Sequence, residues 1–564
     1  MKVGIDFGTS TSEIAYVNET GKVTLIPNHV GQHITPSIVY IQEDGTPIVG
    51  QEAKERAITD PANAFLEVKR MFGQDIQLTA RGKQYSPVEI ANMVIYYLVG
   101  CAENFLKQTV DSAVITVPAY FTDAQRRDVM AAGKMAGLSV ERIINEPTAA
   151  SLDYGIRNMS DCSNILVYDL GGGTLDVTVL ELFEGVVDVL SSCGNNTLGG
   201  KDFDQALAGR IVNAIKKRGK VDITQDPRAM LRIKLAAEEC KIQLSSAEEY
   251  IVELPFLYTA NSEPQAYTET ITRQLFEKLI NEKIESTQHQ IKTALADAKL
   301  TSQEIDMVLL VGGSTRIPLV GAFLEKIFGK LPETVIDPDL AVVRGAAIQA
   351  GVLGGYLGEN AIVLTDICPY SLSTGTLRRV STGFFVEHQE FCDILIPRNT
   401  TLPASESQIY QTASDNQQVV HVTTYQGESD DPDENELLNT FVLSGIPKGK
   451  AGKETINIRF EYDLNGILKV TAEIVSTGKS ATMTVNTEET GKSVDLSRWK
   501  DAPFARTYRT ILNKADRQVK LHGDDASAIE VVSNRLKKAL ILGWDMDVCE
   551  DLKKQLASEI EDIE

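Results

Sequence analysis

No apolar run in this chain approaches the roughly 18 residues that a membrane-crossing helix needs, so a membrane span is not expected. No Cys-x-x-Cys pair occurs either; seven cysteines stand singly at 101, 162, 193, 240, 368, 392 and 549. That scatter argues against a disulfide framework and suits buried single thiols in a reducing compartment. Histidine is scarce, with six dispersed residues, which leaves little material for a zinc site. His29 and His33 are four apart, but in a loop-like stretch bounded by Pro27 and Pro36, and two ordinary loop residues are the better reading. Positive charge is in deficit, and a net charge of −23 argues against nonspecific nucleic-acid or anionic-membrane partners. Low-complexity segments and short tandem repeats are missing. No leader is visible ahead of the first strand-like run at Met1, so a cytoplasmic protein is expected.

What remains is an ordinary globular composition, 43% hydrophobic and 24% charged, long enough at 564 residues for three or four structural units. Two short glycine turns carry most of the chemical information. They are Asp6-Phe7-Gly8-Thr9-Ser10 and Asp169-Leu170-Gly171-Gly172-Gly173-Thr174, each between two apolar, strand-like runs. Glycine lets a turn bring its backbone N–H groups close to phosphate oxygens. An Asp at the strand end can hold a hard cation, usually through water. Two such hairpins facing each other would clamp a nucleotide triphosphate and its magnesium. In Rossmann and Walker binders the glycine turn opens a helix instead. One Gly-Gly-Gly-Thr alone is usually just a turn; the paired arrangement is the informative part.

Residues 1 to about 357 alternate strand-like and helix-like segments, as an α/β domain does, and the two hairpins suggest one per lobe. A third glycine turn, Val311-Gly312-Gly313-Ser314-Thr315-Arg316, follows the apolar Met307 to Leu310. The stretch 358–366 reads as a linker, its apolar Ala361 to Leu364 either docking somewhere or forming a simple strand. From 367 to about 488 the pattern becomes β: Ile456, Ile458, Phe460 and Tyr462 alternate with polar residues, and Asn465-Gly466 supplies a hairpin turn. From 489 to 564 it becomes helical, with Ile529, Val532, Leu536 and Leu540 on one face and Val548, Leu552 and Leu556 on another. Glu238, Lys241 and Ser245 share a face of a helix expected over 232–245, and Lys69-Arg70 form a charge pair. For both, a solvated surface is the simpler reading, and spacing alone does not put them in a cleft.

Several long, ordered segments resemble the heat shock protein 70 (DnaK-type) chaperone family. They are Gly4-Ile5-Asp6-Phe7-Gly8-Thr9, Val117-Pro118-Ala119-Tyr120-Phe121, Ile144 to Ala150, Asp169 to Asp176, Leu198 to Asp204 and Val311 to Pro318. The string Thr365 to Leu372 and the short overall length look most like its HscC-type bacterial branch. The resemblance covers the first 350 residues strongly, the β region clearly and the helical tail weakly.

The resemblance implies an actin-like α/β ATPase domain of two lobes (1–357), a linker (358–366), a β-sandwich that binds peptide (367–488) and a short α-helical lid (489–564). It implies ATP/ADP and Mg2+ as cofactors, with K+ a further candidate. Gly8, Thr9 and Ser10 with Gly171, Gly172, Gly173, Thr174, Gly199 and Gly200 would line the phosphates. Asp6 and Asp169 would hold magnesium through water. Lys69 would meet the γ-phosphate, and Glu146, Thr174 and Asp176 would stand near the attacking water. Glu238, Lys241, Ser245, Gly312, Gly313, Ser314, Arg316 and Asp339 would enclose the adenosine. Leu377, Tyr410, Ala413, Val420 and Val422 would meet the peptide. Pro118, Arg126, Arg142, Pro147 and Asp366 would relay between cleft and linker, so that ATP and peptide weaken each other's binding. Implied partners are unfolded or client polypeptides, a J-domain co-chaperone and a GrpE-like exchange factor.

Departures from the family pattern carry expectations of their own. Lys201 stands where an acid is usual, so an ion pair across the nucleotide cleft is expected to be absent or reversed. Thr374 in place of an aliphatic residue, and Tyr410 in place of Phe, are expected to make the peptide pocket more polar. The segment Arg378 to Asp393 looks longer than the corresponding loop, which leaves the matching of Leu377 open. The helical end looks too short for a complete lid. Two other classes stay in view: a sugar or acetate kinase of the actin-like superfamily, which the β region argues against, and a nucleotide-gated scaffold for one native partner.

Overall fold

The first strand, β1 (Lys2–Phe7), buries Val3, Ile5 and Phe7 in one core and turns Gly4 to its other face. A Cβ on Gly4 would stand 2.1 Å from the backbone nitrogen of Ala347, so helix α6 (Ala341–Leu353) lies directly on the strand. β1 pairs antiparallel with β2 (Thr11–Val17), and β2 with β3 (Val23–Leu25). On its other edge β1 runs parallel to β4 (Ser112–Val117), which runs parallel to β5 (Ser139–Asn145).

The second lobe repeats that plan. β6 (Ser163–Leu170) pairs antiparallel with β7 (Leu175–Phe183), β7 with β8 (Val186–Asn195), and β6 runs parallel to β9 (Met307–Val311). Each lobe therefore carries three antiparallel strands with a parallel neighbour beside the first. Helix α3 (Glu146–Gly155) and α6 fill the space between the sheets through a cluster that includes Ala149, Ala150, Ala341, Ala346 and Ala350. Such small side chains let the helices approach closely. The structure is a computed structural model. It describes all 564 residues except 157–162, 184, 220, 261–262, 334–336, 358–362, 383–384, 485–498, 501–504, 523–528, 530–531, 535, 538–539, 541–548, 551, 555, 558–559 and 561–564.

Val363–Thr365 forms β10, which runs parallel to β8 and extends the second lobe's sheet. Val363 and Leu364 of the expected apolar run are thus in a strand docked on that sheet; Ala361 and Ile362 lie outside the described residues. Beyond it lie two four-stranded antiparallel sheets. One has the order β12-β11-β14-β15, from Phe385–Ile396, Leu372–Thr382, Val419–Gln426 and Glu436–Ser444. The other has the order β13-β16-β17-β18, from Ala404–Gln411, Thr455–Tyr462, Leu468–Ile474 and Lys479–Thr484. Ile456, Ile458, Phe460 and Tyr462 are all buried in the core between them, as their alternation predicts. The divisions at 357/358 and 488/489 fall against residues outside the description.

In the tail, α7 (Ala505–His522) contributes Tyr508, Leu512 and Ala515 to a core completed by Ile529, Val532, Leu536, Leu540, Cys549, Leu552, Leu556 and Ile560. The two expected apolar faces thus meet in one small bundle; Val548 lies outside the described residues. Among the described residues, that core draws on positions 499–560 alone.

Candidate functional site

The two glycine turns face each other across the lobes. A Cβ on Gly172 would stand 2.3 Å from Ser10 Oγ, and one on Gly173 would stand 2.9 Å from Thr9 Oγ1. Only glycine permits this approach, which brings the backbone of one turn against the hydroxyls of the other. The cavity between them is lined by Asp6, Gly8, Thr9, Ser10, Lys69, Glu146, Asp169, Gly171, Gly172, Thr174, Gly312, Gly313 and Asp339, all expected there. Thr11, Glu13, Pro338 and Val342 complete the wall. The enclosed space is about 80 Å³. A site for a nucleotide-sized ligand typically offers about 300 Å³ or more, a larger space than this.

Carboxylates dominate this wall. Asp6 Oδ1 accepts a hydrogen bond from the Thr116 hydroxyl at 2.7 Å, and burial together with the charge of Glu146 pushes its carboxyl up to about 7. Burial and the charges of Glu146, Asp176 and Asp6 raise Asp169 well above the carboxylate range. Asp176 lies just behind the wall, accepts from the Tyr120 N–H at 3.1 Å and is pushed by burial and Glu146 to about 7. Glu13 is also raised, by burial and by Asp6, whose position it opposes in the β1–β2 register. Asp169 Oδ2 and Asp176 Oδ2 are buried without a hydrogen-bond partner.

Lys69 is the one basic residue in the wall. It is 2% exposed, donates to Glu146 Oε1 at 2.6 Å and to the Phe7 carbonyl, and so stands between the two turns. Orphaned acidic oxygens beside a turn that a side chain would obstruct fit a hydrated divalent cation with a polyphosphate. Asp6 and Asp169 would hold that cation, which would supply neutralising charge for the phosphates.

Other expected residues lie outside this wall. Gly199 and Gly200 back onto the second turn, Gly200 N–H donating to the Gly171 carbonyl at 2.9 Å. Ser314 Oγ donates to the same carbonyl, also at 2.9 Å, and Arg316 pairs with Asp339 at 2.8 Å. Helix α5 (Pro227–Leu244) begins five residues earlier than its apolar pattern suggests, because Asp226 caps it and Pro227 occupies its first turn. Lys241 pairs with Asp204 at 2.8 Å, and Ser245 Oγ donates back to the Lys241 carbonyl.

Lys201 pairs within its own lobe and makes no cross-cleft bond among the described residues; the cross-cleft pair comes from Lys54 instead. Glu238 accepts from Lys201 at 2.7 Å and also from Lys54 at 2.9 Å. Lys54 belongs to α1 (Gln51–Thr59) of the first lobe, so an ion pair across the cleft is present. Flanked by two ammonium groups, Glu238 is held down at about 2 despite burial. A second bridge joins the lobes: Arg70 donates to Asp202 at 2.6 Å and to the Gly173 carbonyl at 3.0 Å.

From the cleft a hydrogen-bonded chain reaches the linker. Pro118 ends at the strand-to-helix corner before α2 (Asp123–Met135), and Pro147 sits in the first turn of α3. Arg126 donates to the Ala119 carbonyl at 2.8 Å and to Asn145 Oδ1 at 2.7 Å. Asn145 Nδ2 donates in turn to Asp366 Oδ1 at 2.8 Å. Asn145, absent from the expected residues, is the middle member of this hydrogen-bonded chain. Arg142 makes no such bond through Nε or Nη2; it acts on Asp366 through charge. The β region is docked on the first lobes by further bonds: Tyr370 to the Tyr120 carbonyl at 2.8 Å, Asp123 N–H to Gln426 at 3.2 Å, and Arg398 to Asp297 at 2.9 Å.

The expected peptide contacts divide. Leu377 is 54% exposed on β11, beyond Thr374, where pairing with β14 ends. Ala413 is exposed, Val420 is half-buried, and Val422 belongs to the sandwich core. Of the segment Arg378 to Asp393, residues 378–382 and 385–393 lie on the paired strands β11 and β12. Tyr410 donates to Asp393 Oδ2 at 2.8 Å and so ties the edges of the two sheets together. The expectation for Thr374 is corrected: it is fully buried, and its hydroxyl donates to the Thr423 carbonyl at 2.7 Å, so it adds no polar group to a groove.

A family model described as Hsp70 protein matches residues 2–78 and 74–564. Nearly the whole chain is covered, and it belongs to the Hsp70 family. It is accordingly an ATPase and an ATP-dependent chaperone, of a family that binds ATP and ADP with magnesium and acts on client polypeptides with co-chaperones.

Proposed function

We propose that in this Hsp70 chaperone the cavity between the two glycine turns is the ATPase site, and that its occupancy is read by the β-sandwich through Arg126, Asn145 and Asp366. The observation that carries the reading is the face-to-face approach of the two turns, with Asp6 and Asp169 on either side. Lys69 is positioned to offset charge developing on a transferred phosphoryl group. Thr174 orients the attacking water, and Glu146 with Asp176 supplies acidic oxygens to receive its proton. Mg2+, when bound, adds charge neutralisation at the phosphates. Lys54–Glu238 and Arg70–Asp202 hold the lobes closed, and nucleotide entry and release require both to yield.

The division at 1–357, 358–366, 367–488 and 489–564 is part of the same reading. So is the docked linker strand as the weakly gripping, ATP-favoured arrangement. Leu377, Tyr410, Ala413 and Val420 meet extended apolar segments at the sandwich edge, and the helical bundle serves as the short lid. A J-domain protein and an exchange factor are the expected co-chaperones, the HscC-type branch the closest subtype. The six cysteines among the described residues are free and buried, which suits a reducing compartment such as the cytoplasm.

Single-turnover ATP hydrolysis with and without unfolded peptide tests the proposal. Hydrolysis should quicken with peptide; a rate indifferent to peptide would remove the coupling and leave a scaffold.

A further inference from the structure

Helix α4 (Gly200–Gly219) starts against the second glycine turn, and one of its faces lines a second cavity that none of the roles above uses. The space is about 590 Å³, and it shares no residue with the cleft wall. Small-molecule sites typically enclose roughly 300–1,000 Å³. Gln205, Gly209, Asn213 and Lys217 follow one another at helical spacing along this trough, with Arg210 and Arg218 beside them. Glu269, on the strand Glu263–Thr272, and Leu279, on the helix Arg273–Ser286, close its far side.

Gly209 is in the interior of α4, where glycine is less favourable than alanine. A Cβ built on it would meet nothing within 4 Å, so packing does not require glycine there. A side chain at this position would instead occupy the trough.

The charges in the trough do not balance. Arg210 and Arg218 both donate to Glu269, Arg218 at 3.2 Å, and the Tyr267 hydroxyl donates to the same carboxylate at 2.5 Å. The Tyr267 ring also lies 5.6 Å from the Arg218 guanidinium and helps to orient it. Glu269 is therefore fully engaged. Arg210 Nε nevertheless stays buried without a hydrogen-bond partner, and Lys217 has no ion pair among the described residues. Three cations against one carboxylate leave two positive charges over, in a chain whose net charge is −23. A merely solvated basic face would have neither the enclosed space nor the buried, unanswered N–H.

We propose that this trough is a second ligand site, for a small organic phosphate monoester. Arg210, Arg218 and Lys217 take the phosphate, because guanidinium groups keep N–H donors beyond those given to Glu269 and match phosphate oxygens in geometry. A phosphate monoester carries close to two negative charges at neutral pH, which answers the excess. Leu279 and Ala214 supply the apolar wall for its carbon skeleton. The inference does not depend on the assignment of the cleft.

Isothermal titration of the full chain supplies the test, with saturating magnesium and a non-hydrolysable ATP analogue present throughout to occupy the cleft. Phenyl phosphate, inorganic phosphate and phenyl sulfate are the probes, at constant ionic strength. Phenyl phosphate should bind at one site per chain, about tenfold more tightly than inorganic phosphate, which lacks the apolar part, or phenyl sulfate, which lacks the second charge. Lys217→Ala, which removes a cation, and Gly209→Leu, which fills the trough, should each weaken phenyl phosphate at least about tenfold. Gly209→Leu should unfold at no lower temperature than wild type, since leucine is the better helix former and the space is open. Loss of binding in that variant then reports blockage and not misfolding. Absence of saturable phenyl phosphate binding, or binding that both variants leave unchanged, would overturn the proposal. So would phenyl sulfate binding as tightly, which would remove the dianion, or inorganic phosphate binding as tightly, which would remove the ester.

Discussion

The nucleotide cleft and the β-sandwich differ in the charge of the buried polar atoms they leave without a partner. In the cleft, Glu13, Asp169 and Asp176 each leave a carboxylate oxygen without a partner, and burial raises all three carboxyls. In the sandwich, the unpartnered buried atoms are neutral ones, on Ser373, Thr376, Gln426 and Thr440, and the hydroxyls of Thr374 and Tyr410 are bonded across strands and across sheets. Sandwich side chains such as Leu377 and Ile409, 54% and 61% exposed, leave apolar surface at the edge instead. The difference teaches where ligand energy enters: the cleft holds unbalanced charge that only cations and phosphates relieve, whereas the sandwich offers apolar contact and strand edges. The linker strand and Asn145 stand between the two.

The largest expected effect breaks the cleft alone. Lys69→Ala or Thr174→Ala should slow single-turnover hydrolysis by roughly 10²-fold, the usual scale for a lost electrostatic or positioning contact, while ATP still binds. Intact turnover in both would refute their roles. Severing the connection should come next. Asn145→Ala should abolish the acceleration of hydrolysis by peptide while leaving peptide affinity without nucleotide within about twofold, because it removes one member of the chain from Arg126 to Asp366 and touches neither site. Stimulation persisting at the wild-type level would show that coupling runs elsewhere.

A smaller effect is expected at the lobe closure. Lys54→Ala removes the cross-cleft pair to Glu238 but leaves Lys201 to hold that carboxylate, so ADP release, followed by stopped-flow with a fluorescent analogue, should quicken about three- to tenfold. An unchanged rate would mean that Arg70–Asp202 alone limits opening. The mildest lever is pH. Burial at the docked interface raises Asp123 to about 6 from its ordinary 3.8, with Arg127 and Arg126 opposing the shift, and Glu436 is raised as well. Groups that hold protons more tightly when docked make docking proton-linked. Docking should therefore strengthen as pH falls from 7 toward 5 and level off below about 4, as the undocked carboxyls also protonate. Protease sensitivity of the linker reports this, and Asp123→Asn should flatten the profile.

Much of the cleft is legible in the sequence because its chemistry is local. Asp6 and Asp169, each at a strand end before glycines and a hydroxyl, announce both turns, and the alternation at 456–462 announces the sandwich core. What escapes is set by long-range geometry. Glu13 belongs to no motif, and only the β1–β2 register places it opposite Asp6. Lys54 lies 184 residues from Glu238 in sequence, and no spacing rule links them. Asn145 stands inside the segment Ile144 to Ala150 with no role of its own, and the topology sets it between Arg126 and Asp366. Thr374 misleads in the other direction, since its residue type suggests a polar pocket while a carbonyl across the sheet satisfies it.

Under the proposed function, charge in the cleft and grip in the sandwich form one coupled system. The most direct measurement is the release rate of a labelled unfolded peptide from the full chain, followed with and without saturating Mg·ATP. The account predicts that ATP speeds release at least tenfold, and that Asn145→Ala removes the effect. Release indifferent to ATP in the wild-type chain would contradict it.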